Sequence, residues 1–118
     1  MNEEIRVLVI EPGKNPEERM IQNDLKTLQE LVGGYIETVP MKFRYTNSTE
    51  TDRVELICNE EGKLMNLPRN QYIRELNYDV ICGTFVLAGA GEEDFTSLTD
   101  DQIRRLKDRF NIEKEAAT

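Results

Sequence analysis

A chain of 118 residues with 38% hydrophobic and 32% charged residues is too apolar for a disordered chain and too polar for a membrane one. Twenty-three acidic against fifteen basic residues leave a net charge of −8, which argues against nonspecific binding along a phosphate backbone, so no direct contact with nucleic acid is expected. No apolar run approaches the roughly 20 residues that span a bilayer, and the start Met1-Asn2-Glu3-Glu4 is acidic where a secretory signal is basic, so no membrane contact is expected and the cytoplasm is the expected compartment.

Taken in chain order, Ile5-Arg6-Val7-Leu8-Val9-Ile10 is a nearly continuous β-branched apolar run, the pattern of a central strand buried on both faces. Two prolines and a glycine within Glu11 to Pro16 stop it. Asn23 or Asp24 can cap a helix in which Leu25, Leu28, Leu31 and Val32 share one face, and Gly33 stands where a left-handed C-terminal residue belongs. Tyr35 to Tyr45 alternates with period two, and Pro40 within it predicts an edge position or a bend. Thr46 to Asp52 reads as a loop, and Val54 to Cys58 as a strand. Asn59 to Lys63 reads as a tight hairpin turn with Gly62 at its positive-φ position, and Leu64 to Pro68 as the returning arm.

A short helical turn is expected within Asn70 to Leu76, then a buried strand through Asp79 to Leu87. Gly83 within that strand is expected to mark a close approach, and Ala88 to Gly91 a chain reversal. The last helix carries the clearest local signal. Thr99 with Gln102 forms a capping box, Leu98 and Ile103 a hydrophobic staple, and Asp100 and Asp101 suit the helix dipole. Ile103, Leu106 and Phe110 would face the core. The fold class expected is α+β, with a mixed, mostly antiparallel sheet of four to five strands and two main helices packed on one face. Residues 1–112 form a single domain on this reading, and residues 113–118 a flexible acidic tail.

The chain contains no histidine, which removes the commonest general base near neutral pH and the commonest zinc ligand. Cys58 and Cys82 lie inside apolar runs and read as reduced core residues without an activating neighbour. Glu60-Glu61 and Glu92-Glu93-Asp94 could hold a divalent cation, but they read first as solvated acidic loops. Ala88-Gly89-Ala90-Gly91 runs straight into those acids and lacks the lysine of a phosphate loop. No catalytic motif, metal site or cofactor is expected.

The residues singled out for recognition are Asn59, Arg69, Asn70 and Thr84, in turn-rich segments beside Gly62 and Gly83. Asparagines and an arginine on a shaped loop can hold a polar ligand or a carboxylate, although asparagine is also an ordinary turn former and cap. Exposed aromatics among Tyr35, Phe43, Tyr45, Tyr72, Tyr78 and Phe95 could mark a partner surface, with Phe95 more naturally anchoring its loop. An edge strand or the apolar stretch Met41 to Tyr45 could pair with a second copy.

Several segments together resemble a family of small proteins, the domain-of-unknown-function 3846 family. They are Ile5 to Lys14, Leu28 to Glu37, Cys58 to Lys63, Leu67 to Asn70, Ile81 to Thr84 and Phe95 to Gln102. The resemblance covers nearly the whole chain and leaves out the acidic tail. It implies a setting in phages and mobile elements, whose accessory genes act on host processes such as antiviral defence, and it carries over no catalytic residue.

These readings point to a non-enzymatic binding protein whose partner is a host protein or a small polar ligand such as a nucleotide signal. Two other classes stay open from the sequence: an acidic mimic of nucleic acid that captures a DNA- or RNA-binding protein, and a metal-dependent hydrolase using the acidic clusters.

Overall fold

The computed structural model describes residues 3–44, 51–76 and 79–112. The 113–118 tail, Tyr45 of the expected strand, residues 46–50 of the expected loop and Tyr78 lie outside them, while Thr51 and Asp52, expected in that loop, open a strand paired with residues 43 and 44. The chain runs through β1 (Glu4–Ile10), β2 (Glu17–Gln22), α1 (Leu25–Val32), β3 (Ile36–Arg44), β4 (Thr51–Asn59), β5 (Arg69–Ile73), a 3-10 turn (Arg74–Leu76), β6 (Asp79–Cys82), β7 (Phe85–Ala90), β8 (Phe95–Thr96) and α2 (Asp100–Arg109). The main sheet has the order β2-β1-β7-β4-β3, with β8 added alongside β7, while β5 and β6 form a separate two-stranded ribbon. Every described strand pairing is antiparallel. The class is α+β.

The near-continuous apolar run of β1 dictates how the layers stack. Leu8 and Ile10 point to one side, with Phe85 and Leu87 of β7 and Val54 and Leu56 of β4. That side is covered by Ile103, Leu106 and Phe110 around α2, and by Ile73 and Ile81 of the ribbon. Ile5, Val7 and Val9 point to the other side, where Leu28 and Val32 of α1 cover them with Ile21, Ile57 and Val86. The two helices therefore lie on opposite faces, which corrects the expectation of one face. A strand apolar at both parities needs a cover on each side, and one helix plus the β5–β6 ribbon suffices for the second cover.

Local signals place both helices. Asp24 is the N-cap of α1, accepting from the Thr27 backbone N–H at 2.7 Å, which holds its carboxyl below the usual carboxylate range. Gly33 closes the helix at φ +80°. Leu25, expected on the buried face, is exposed, and Leu28 and Val32 carry the buried face of α1. At α2, Thr99 and Gln102 make the reciprocal capping box, and Leu98 and Ile103 are both buried. Pro40 sits on edge strand β3, as expected.

The differences have identifiable causes. β2 is an edge strand in which only Ile21 is buried, so it has no apolar alternation to advertise it. The turn after β4 runs on to Asn66, whose φ is +55°, and no returning arm forms between Leu64 and Pro68. Gly62 has no positive φ. It is needed for a close approach, because a Cβ there would collide with the Cys82 carbonyl oxygen. Gly83 at φ +92° breaks the expected strand into β6 and β7, and Leu67 packs where its side chain would be. Ala88 to Ala90 continue β7 as strand, with no reversal there.

Candidate functional site

Of the four residues singled out from the sequence, Arg69, Asn70 and Thr84 lie where β1 ends and β6 passes into β7, whereas Asn59, at the end of β4, turns its side chain to the α1 side. Their side chains divide into two kinds. Asn59 is buried; its Nδ2 donates to the Val32 carbonyl at 3.1 Å and its Oδ1 accepts from the Glu61 N–H at 2.8 Å. It ties the end of α1 to the turn after β4. Asn70 donates through Nδ2 to the carbonyls of Ile10 (2.9 Å) and Gly83 (2.8 Å) and accepts at Oδ1 from the Gln71 N–H (2.9 Å). It clamps β1, β5 and the Gly83 bend together. Both asparagines satisfy backbone groups that turns leave unpaired. Thr84 is half-buried beside Gly83.

Arg69 is of the other kind. It opens β5, opposite Cys82 of β6, and its side chain is exposed. The ribbon register is irregular between Arg69 and Tyr72. Gln71 and Ile73 are buried, while Arg69, Tyr72 and Arg74 are all exposed, Tyr72 at 59%. Gln71 anchors the inner face by donating from Nε2 to the Phe110 carbonyl at 2.9 Å. The Lys63–Asp79 ion pair, at 2.6 Å, holds the start of β6 to the turn after β4. It raises the lysine pKa and lowers that of the carboxyl. Arg69 and Tyr72 of β5 and Arg74 of the 3-10 turn are thus exposed in close succession on a braced support.

The charge pattern sets these arginines apart. Arg6, Arg19, Arg53, Arg104 and Arg105 are each held by a carboxylate, and Arg109 lies over the Phe110 ring, 4.7 Å from its centroid. Arg69 and Arg74 have no such partner among the described residues. Tyr72 and Arg74 belong with Arg69. The short helical turn expected within Asn70 to Leu76 is found at Arg74–Leu76, while Arg69 to Ile73 before it are strand.

The opposite end of the central strands is acidic. β1 and β7 run antiparallel, from the ribbon end at Ile10 and Phe85 to Glu4 and Ala90. Beyond them lies a cavity of about 400 Å³, lined by Ile5, Asn23, Phe95 and the carboxylate residues Glu3, Glu92, Glu93 and Asp94. No lysine or arginine lines it. Phe95 is half-buried and packs on the α1-side core, so it anchors its loop. Among the described residues no three Cys, Asp or Glu side chains converge as metal ligands. Cys58 and Cys82 are free thiols, and burial pushes Cys58 up to about 11. Met41 is fully buried, and the side chains of Phe43 and Tyr45 lie outside the described residues. No described helix is long and apolar enough to cross a membrane.

The model of one family, described as a domain of unknown function (DUF3846), matches residues 5–111. No curated protein and no solved structure matches the chain.

Proposed function

We propose that this chain, which belongs to the DUF3846 family, is a non-enzymatic binding protein whose partner is another protein. The observation that carries the reading is the division of labour among the polar residues at the ribbon end. Asn59 and Asn70 spend their hydrogen bonds on the fold, whereas Arg69, Tyr72 and Arg74 stand exposed. A small polar ligand is bound by enclosing it among convergent polar groups. Exposed tyrosine and arginine side chains on a braced surface are instead what protein interfaces use as anchors. The setting is the reducing cytoplasm, which the two free cysteines suit, and the role is that of an accessory protein of a phage or mobile element acting on a host protein.

The test is gentle affinity purification at low salt from expressing cells, followed by native mass spectrometry. A polypeptide retained in simple stoichiometry is the expected result. A small-molecule adduct in its place would overturn the reading.

A second reading rests on the acidic cavity at the other end. Four carboxylate residues with no lysine or arginine among the lining residues favour a basic partner, as an acidic mimic of nucleic acid would require. Capture of a basic protein that weakens steeply between low and high salt would support it, and salt-insensitive capture would exclude it.

A further inference from the structure

We infer that the exposed surface made by Arg69 and Tyr72 of β5 and by Arg74, which opens the 3-10 turn after it, is the docking surface, and that its occupant is a short acidic segment of the partner protein. This rests on the reading of the chain as a protein-binding protein and adds the face and the chemistry of what it holds. In a protein with eight more acids than bases, most basic side chains have a carboxylate to hand. Arg6, Arg19, Arg53, Arg104 and Arg105 each take one. Among the described residues Arg69 and Arg74 take none, although Glu60 and Glu61 stand on the turn at the same end, exposed. Two guanidinium groups with no ion-pair partner among the described residues, on either side of an exposed tyrosine in sequence, are complementary to carboxylates carried on a chain with some apolar body. Guanidinium binds carboxylate through paired N–H donors, and the ring supplies contact area at little entropic cost.

The support is rigid enough to present them. Asn70, between Arg69 and Tyr72 in sequence, is clamped to Ile10 and Gly83. Gln71 is tied to the last turn of α2. Ile73, between Tyr72 and Arg74 in sequence, is fully buried. Nucleic acid is the disfavoured occupant. Two arginines can meet only a few phosphates, and the net charge of −8 repels a long phosphate chain beyond that contact. A short acidic segment engages the arginines locally and brings far less charge near the acidic end, which lies about 20 Å away by strand rise.

The experiment is a titration of the full-length, isotope-labelled protein by two-dimensional NMR with a short Glu-rich peptide carrying one leucine. A dT oligonucleotide and a short Lys-rich peptide serve as comparison probes. The expected result is movement of the Arg69 and Arg74 side-chain and Tyr72 backbone signals with the acidic peptide. That binding should weaken at least about tenfold in R69A/R74A and by severalfold in Y72A, with melting temperatures unchanged. Preferential response of the same signals to the oligonucleotide would overturn the choice of partner. Acidic-peptide shifts confined to other residues, or an affinity unmoved in R69A/R74A, would overturn the face. If a polypeptide co-purifies equally with wild type and R69A/R74A, the protein-binding reading stands and this face falls. If nothing co-purifies and no peptide binds, both fall.

Discussion

Replacing Asn70 with alanine removes three hydrogen bonds at once, those to the carbonyls of Ile10 and Gly83 and from the N–H of Gln71. A typical internal hydrogen bond contributes about 1 kcal/mol net, so the loss is about 3 kcal/mol. That is a large part of the stability of a domain this size, on the order of 10 kcal/mol. The melting temperature should fall by on the order of 10 °C. Asn70→Asp should be at least as damaging at neutral pH, since a carboxylate would face two carbonyl oxygens with no proton to give. The neighbouring change Arg69→Ala removes an exposed side chain with no described partner and should shift stability by less than about 0.5 kcal/mol. Urea unfolding followed by circular dichroism measures all three variants side by side. If Asn70→Ala proves as mild as Arg69→Ala, Asn70 is not the clamp described, and the assignment of the asparagines to the fold is refuted.

Gly62→Ala should destabilise by about 1–3 kcal/mol, because its Cβ meets the Cys82 carbonyl; a neutral effect on the urea midpoint would contradict that packing. Phe110→Ala removes a fully buried ring that meets Phe85 edge to face at 5.8 Å, at a cost of about 4 kcal/mol, readable by calorimetry. With Cys58 raised to about 11 in the fold, the unfolded chain loses the thiol proton first as pH climbs past about 9. Stability should therefore decline between those values by up to about 2 kcal/mol, and Cys58→Val should flatten that decline in urea melts at pH 8 and 10.5. Thr99→Ala should cost about 1 kcal/mol by breaking the capping box of α2.

Much of the fold is legible because it is written in adjacent residues. Thr99 and Gln102 cap α2 through groups three positions apart, and Gly33 ends α1 by its own backbone freedom. The double-sided burial of β1 is visible in Ile5 to Ile10, and it implies covers on both faces. What escapes a linear reading depends on distant partners. Gly83 reads as the middle of a strand until Leu67 and Asn70 are seen to meet it. β2 carries Glu17, Glu18 and Arg19, whose carboxylates and guanidinium serve ion pairs to Arg6, Lys107 and one another, so burial leaves almost no mark on it. Asn59 and Asn70 each bond to backbone, Asn59 at the end of α1 and Asn70 at Ile10 and Gly83, and their chemical type cannot say whether they face a ligand or the backbone. Arg69 and Tyr72 are both exposed across the irregularity in β5, and Arg74 follows at the start of the 3-10 turn.

The most direct test of the account is quantitative co-purification with wild type and R69E/R74E in parallel, each confirmed folded by its melting temperature. Loss of the retained partner from the charge-reversed variant, with stability unchanged, is the result the account requires. Equal retention by both would mean that recognition lies elsewhere on the molecule and would contradict it.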